Sequence, residues 1–175
     1  TRVYDLVTHF RTALPDVVTL PQHFRQNGYY VHGVGKIYHP GYDDRPSWSV
    51  PWEATKGKGF GPDGQRVLAE RKAKAKEDRG DVSKVRGLPV EAPTVDDGEL
   101  NDGWTAARSI EILKERRGKD EPFFLAVGFA KPHLPFVAPK KYWDLYDPAT
   151  LPVAASADPP KDAPKFAPQF GGELR

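Results

Sequence analysis

The stretch Gly33-Val34-Gly35-Lys36-Ile37-Tyr38-His39-Pro40-Gly41 decides how the chain is read. A lysine and a histidine stand three positions apart, directly after the apolar run Tyr29–Val34. Glycines and a proline surround them, and neither suits a helix interior. The spacing predicts a tight loop at the end of a strand. In open α/β sheets such loops are a common seat of ligand chemistry. The segment Lys131-Pro132-His133-Leu134-Pro135-Phe136 repeats the arrangement after a second apolar run. Two strands that each end in Lys and His suggest one shared anion site.

Working outward, Thr19-Leu20-Pro21-Gln22 carries a helix start. Thr19 is placed to cap, Pro21 suits the first turn, and Gln22 completes a capping box. Leu20 and Phe24 share a face, and Asn27-Gly28 is a C-terminal stop. Tyr29–Val34, rich in aromatic and β-branched residues, reads as a buried strand. Residues 1–18 show no clean period and read as an irregular opening. Residues 40–64 read as a long loop with Asp43-Asp44, Trp48 and Trp52. Helix formers fill Val67–Lys76, where Arg71, Lys72, Lys74 and Lys76 read as a solvated face. Pro89 and Pro93 confine Leu88–Val95 to a short edge segment.

Asn101-Asp102 is expected to cap the strongest helical pattern. In it Ala106, Ala107, Ile110 and Leu113 form the inward face, with Glu111, Lys114, Glu115 and Arg116 toward water. Gly118 ends this helix. Phe123–Phe129 is a continuous apolar run, as expected of a strand buried on both faces. Tyr142–Tyr146 reads as a short helical turn, and the Pro-rich run from Pro148 as extended. Helix followed by strand through short links gives an α/β layer fold.

A chain of 175 residues suits one domain. Lys+Arg 26 against Asp+Glu 24 is too balanced for a nucleic-acid footprint. The mean hydropathy is −0.62, and no apolar run reaches the length of a membrane span. Cys 0 excludes disulfides, thiolate chemistry and Cys-ligated zinc within these residues. Met 0, with the abrupt Thr1-Arg2-Val3-Tyr4 opening, points to an internal piece of a longer protein.

As bare chemistry, lysine holds one oxygen of an anion, and histidine holds an oxyanion or moves a proton near neutrality. Taken singly, Lys36 is a surface lysine and His39 a loop histidine bonded to local backbone. Their recurrence as Lys131 and His133 shifts the reading toward function. His23 reads as helix surface and His32 as packed inside its strand, while His9 has no assignment. There is no phosphate-binding Gly-x-x-x-x-Gly-Lys loop, dinucleotide fingerprint or nucleophile elbow. Asp43-Asp44 and Asp96-Asp97 are acidic pairs that suit a hard cation, but their Gly/Pro-rich settings favour turns.

The run Gly28-Tyr29-Tyr30-Val31-His32-Gly33-Val34-Gly35-Lys36-Ile37-Tyr38-His39-Pro40-Gly41 resembles the Gly-Lys-x-x-His segment of type I sulfatases. Pro122–Phe136, reading PFFLAVGFAKPHLPF, resembles a second signature of their iduronate-2-sulfatase-like group. Weaker similarity runs through Thr1–Asp5, Ser47–Ser49, Gly61–Gly64 and the helix after Asp102. It covers most of residues 1–147.

The resemblance implies an alkaline-phosphatase-like α/β fold, here an incomplete part of a mostly parallel sheet flanked by helices. Residues 1–147 would be the central part of a catalytic domain, with 148–175 a Pro-rich extended continuation. It implies hydrolysis of sulfate esters, of sulfated sugars or glycosaminoglycan-like glycans, by a formylglycine nucleophile with a calcium ion. The compartment would be periplasmic, secreted or lysosome-like. By motif, Lys36 would hold a sulfate oxygen and His39 would take the proton that releases sulfate. His133 would contact the sulfate or protonate the leaving oxygen, and Lys131 is an adjacent candidate for substrate binding.

The Cys/Ser-x-Pro-x-Arg motif that yields formylglycine is absent from these residues, and Asp43-Asp44 falls in the wrong place for the family's calcium pair. Nucleophile and calcium ligands are therefore expected outside residues 1–175, and the chain alone is expected to be inactive. A non-catalytic anion-binding remnant, or a phosphoryl or phosphonate ester hydrolase of the same superfamily, are the alternatives.

Overall fold

The computed structural model of the chain describes residues 3–5, 7–156, 158 and 161–164. Thr1 and Arg2, and the Pro-rich continuation from residue 165, lie outside the described residues. The elements are α1 (Phe10–Ala13), α2 (Leu20–Gln26), β1 (Tyr30–Gly35), α3 (Pro62–Glu77), β2 (Val90–Glu91), α4 (Asn101–Arg116), β3 (Phe123–Gly128), β4 (Phe136–Val137) and α5 (Lys140–Trp143), with short 3-10 turns between them. They form two compact units. One holds the described residues up to Gly57 with Asn101–Ala130; the other holds Lys58–Leu100 with the described residues from Lys131 onward.

In the first unit α2 begins as its sequence predicts. Thr19 Oγ1 accepts the Gln22 N–H at 3.2 Å and Gln22 Oε1 accepts the Thr19 N–H at 3.4 Å, with Pro21 in the first turn. Gly28 at φ 82° turns the chain out of the helix and into β1. β1 pairs with β3 in parallel, in register from Tyr30 opposite Phe123 to Gly35 opposite Gly128. The other edge of β1 is also covered. Ser49 N–H donates to Val31 O, Glu53 N–H to Gly33 O, and Gly35 N–H to Glu53 O, at 2.8–2.9 Å. β1 is thus a middle strand, and every residue from Val31 to Gly35 is buried. The core is Val31, Val34, Trp48 and Ile112.

α4 packs on this sheet through a face other than the expected one. Thr105, Ser109, Ile112 and Arg116 are buried, whereas Ile110 and Leu113 are about half exposed. The hydroxyls explain this. Thr105 Oγ1 donates to Asn101 O at 3.0 Å and Ser109 Oγ donates to Thr105 O at 2.7 Å. Each polar atom is satisfied within the helix, so small side chains can be buried without loss. Arg116, expected in water, stacks its guanidinium 4.1 Å from the Tyr30 ring centre and pairs with Glu121 at 2.6 Å.

Three further expectations change. β3 is not buried on both faces: Phe123, Val127 and the following Phe129 are 41%, 37% and 52% exposed. Leu20 does not share the packing of Phe24; it is exposed, while the Phe24 ring lies 4.6 Å from Phe124 and 5.0 Å from Tyr29. The opening segment contains the short helix α1, whose cap is His9: ring Nδ1 accepts the Arg11 N–H at 3.1 Å.

In the second unit α3 starts earlier than its charge pattern suggests. The Gly61 N-cap has no side chain to close the first turn. Glu91 does so instead, accepting N–H bonds from Gly61 and Gly64 at 2.9 Å each. β2 and β4 pair in parallel, as the edge reading of Leu88–Val95 allows. Lys140–Trp143 is helical rather than Tyr142–Tyr146, and Pro148–Thr150 forms a single 3-10 turn. Among the described residues every strand ladder is parallel, which is compatible with an α/β fold. Among the described residues no helix is long and apolar enough to cross a membrane.

Candidate functional site

Lys36 is the first residue beyond β1, and two glycines put it there. Gly35 has φ 77°, a left-handed conformation that disfavours any side chain. A Cβ on Gly128 would lie 2.0 Å from Lys36 O, so the end of β3 must be bare for the loop to pass. Lys36 N–H then donates to Gly128 O at 2.7 Å, and Trp52 Nε1 donates to Gly35 O at 2.9 Å. The backbone beneath Lys36 is fixed from two sides while its ammonium is exposed and only 3.5 Å from Tyr38 O. A small cavity of about 100 Å³ lies beside it, lined by Lys36, Tyr38, Trp52, Thr105 and Ala130 among others.

His39, three residues on, is exposed. Its Nδ1 lies 3.3 Å from Pro40 O. A carbonyl oxygen only accepts, so Nδ1 carries the proton and Nε2 is the basic nitrogen of the neutral ring. His133 in the second unit repeats this pattern, with Nδ1 donating to Leu134 O at 2.7 Å. Lys131 Nζ donates to Pro135 O at 2.6 Å and His133 O at 3.3 Å, so it ties together the loop that presents His133. The Lys131–Pro132 and Leu134–Pro135 peptides in this loop are cis. The structure thus brings Lys36 and His39 onto one loop, and Lys131 and His133 onto another.

Some groups around these loops escaped the sequence reading. Asp102, expected as a cap, sits inside the first turn of α4, and its Oδ1 accepts the Ala130 N–H at 2.8 Å. The carboxylate thereby anchors the backbone just beyond β3. Glu53, between β1 and α4, receives Arg108 through Nε and Nη2 at 3.0 Å. These bonds hold the Glu53 carboxyl below its ordinary range, and the same pairing raises the Arg108 guanidinium. His32 packs as expected. Its Nε2 is 2.9 Å from Glu53 Oε1 without hydrogen-bond alignment, and burial lowers its basicity. Contacts across this distance in sequence leave no local signature.

The acidic pairs are occupied by structural partners. Asp44 is buried beneath Arg11, whose Nε and Nη2 approach its two oxygens at 2.7 and 2.8 Å, and Ser47 Oγ donates to it at 2.5 Å. Arg11 first, and Ser47 with it, hold the Asp44 carboxyl below its usual range. Asp43 Oδ1 accepts Trp48 Nε1 at 2.9 Å. A simple turn role therefore understates this pair, which anchors the loop to α1 and the core. Asp97 is held by Lys141 at 2.8 Å and by Tyr142 Oη at 2.9 Å. Calcium takes six to eight oxygen ligands. Among the described residues no three His, Asp or Glu side chains converge, so they do not fit a calcium cage.

No family model matches the chain. Among curated proteins it is similar to the iduronate 2-sulfatase of Homo sapiens, with 32% identity over 173 residues, covering 95% of this chain and 30% of the relative. It is 30% identical over 138 residues to a sulfatase of Formosa agariphila, covering 77% of this chain and 25% of that protein. It is 30% identical over 158 residues to a choline-sulfatase of Rhizobium meliloti, covering 84% and 28%. The chain spans under a third of the length of these relatives. Its two Lys/His loops lie within a similarity that runs through nearly all of its residues, and the chain belongs to the sulfatase family.

Proposed function

We propose that the protein containing this chain hydrolyses sulfate esters on an alkaline-phosphatase-like α/β fold, and that Lys36, His39 and His133 belong to its active site. The observation that carries this is the presentation of Lys36. Its ammonium is exposed at the end of a parallel strand whose last backbone groups are pinned by Gly128 O and Trp52. A cation on a fixed backbone stabilises developing negative charge with little reorganisation, which is often the largest catalytic contribution.

Formylglycine, expected outside residues 1–175, would supply the nucleophile that takes the sulfuryl group. The resemblance to sulfatases suggests the roles of the present residues, and their local geometry supports them. Lys36 holds a non-bridging sulfate oxygen. His39 accepts a proton at Nε2, since its Nδ1 proton is held by Pro40 O. His133 in its protonated form donates from Nε2 to the departing alkoxide oxygen, giving the free alcohol. Lys131, engaged with two loop carbonyls, positions His133 rather than touching substrate. The described residues supply no calcium cage, and the ligands of the calcium ion are expected outside residues 1–175.

The relatives named above carry iduronate and choline in their names, and a further relative from Clostridium perfringens is an arylsulfatase. What they share is the sulfate ester rather than one alcohol. The test is steady-state hydrolysis of an aryl sulfate by the full-length protein and its His39→Ala and His133→Gln variants. Each change is expected to lower kcat by about 10²–10⁴-fold, the usual contribution of general acid–base groups. Unchanged kcat in both would refute the assignment. A 175-residue chain that turned over substrate alone would contradict the placement of the nucleophile elsewhere.

A further inference from the structure

In the second unit His133 stands at the wall of a cavity of about 420 Å³. That volume lies within the range of small-molecule pockets. The cavity has an apolar body made by Phe60, Leu68, Val82, Val85, Leu88 and Leu134. Its polar side chains are His133, Lys72, Arg86 and Ser83, and among the described residues no carboxylate lines it.

The walls are built rather than incidental. A Cβ on Gly87 would come within 2.5 Å of the Phe60 ring, so only a glycine lets the aromatic floor sit there. Arg71 Nη1 donates to both Arg86 O and Gly87 O at 3.0 Å, fastening the 82–89 loop to α3. Glu91 fastens the start of the same helix. An apolar hollow bordered by cations recognises an anion on an apolar body. A sugar ring would need several polar partners for its hydroxyls, and their burial here would be costly.

Resting on the sulfate-ester reading, we propose that this cavity is the leaving-group subsite, and that it takes an aryl ring with its sulfate directed toward His133. Lys72 and Arg86 attract the anionic ester to the rim. A hexose sulfate is the rival occupant.

The test uses the full-length protein and two kinds of readout. Binding of 2-naphthol, the neutral product alcohol, is followed by fluorescence titration without any turnover. KM is measured for 2-naphthyl sulfate, methyl sulfate and glucose 6-sulfate. Val85→Asp puts a charge into the apolar wall, and Val85→Ala, a milder change, guards against misfolding, with circular dichroism as a check. The expected result is 2-naphthol binding weakened about tenfold or more by Val85→Asp, with KM for 2-naphthyl sulfate raised in step and KM for methyl sulfate unchanged. Absence of 2-naphthol binding, or equal changes in KM for all three esters, would overturn the subsite. A KM for glucose 6-sulfate that alone responds to Val85→Asp would assign the cavity to the hexose. If no ester is hydrolysed yet 2-naphthol binding responds to Val85→Asp, the sulfatase reading fails and the ring site stands.

Discussion

β1 and β3 are paired residue for residue, yet they live in different surroundings. β1 reads YVHGVG, with a histidine and two glycines, and is buried from Val31 to Gly35. β3 reads FFLAVG, the more apolar of the two, and keeps Phe123 and Val127 substantially exposed. Burial here follows from neighbours rather than from composition. β1 is flanked by β3 on one edge and by residues 49–53 on the other, and Trp48 seals it. Stability should accordingly concentrate around β1, whose end carries Lys36.

The most severe way to break this contrast is Trp48→Ala. Trp48 is fully buried, and large-to-small changes of that kind cost about 3–5 kcal/mol. Urea unfolding should show a large fall in midpoint; a shift too small to resolve would mean that β1 is not sealed by Trp48. Next is Arg11→Ala, which leaves Asp44 charged and buried. The expected loss is about 3 kcal/mol, since Arg11 is partly exposed, and the companion change Asp44→Asn should restore part of it.

A third test is pH. His32 has its basicity lowered by burial, so the unfolded chain binds its proton more readily. Stability from this source is complete above about pH 6.5 and falls as the pH drops below it. Asp44 and Glu53, both held low by arginines, contribute stability that is lost only as the pH falls further, below about 4. His32→Gln should flatten the first decline and leave the second, as read from urea midpoints between pH 7.5 and 3. The smallest effect belongs to β3: Phe123→Ser or Val127→Thr should change stability by about 0.5 kcal/mol or less, typical of surface positions. Losses of several kcal/mol there would erase the difference between the strands.

Features with a local cause were legible in the sequence. The Thr19–Gln22 capping box, the turn at Gly28, the strand before Lys36 and the end of α4 at Gly118 each depend on residues a few positions apart. So did the exit of Lys36 and His39 from a strand end. What failed depended on distant partners. Apolar periodicity points to the wrong face of α4 because it overlooks hydroxyls that bond back to their own helix, as Thr105 and Ser109 do. Arg116 was placed in water because its partner Tyr30 is far away in sequence. Asp44 read as a turn residue because Arg11 is 33 positions away. Asp102 reaches Ala130 across a whole helix and strand.

The central claim is that the rigidly presented ammonium of Lys36 stabilises charge on a sulfate ester. Its most direct test is the rate of aryl sulfate hydrolysis by the full-length protein and by Lys36→Ala, with folding checked by circular dichroism. The expected result is a folded variant with kcat/KM reduced about 10²–10³-fold, as for loss of one preorganised charge-stabilising group. A folded Lys36→Ala variant that hydrolyses the ester at the unaltered rate would contradict it.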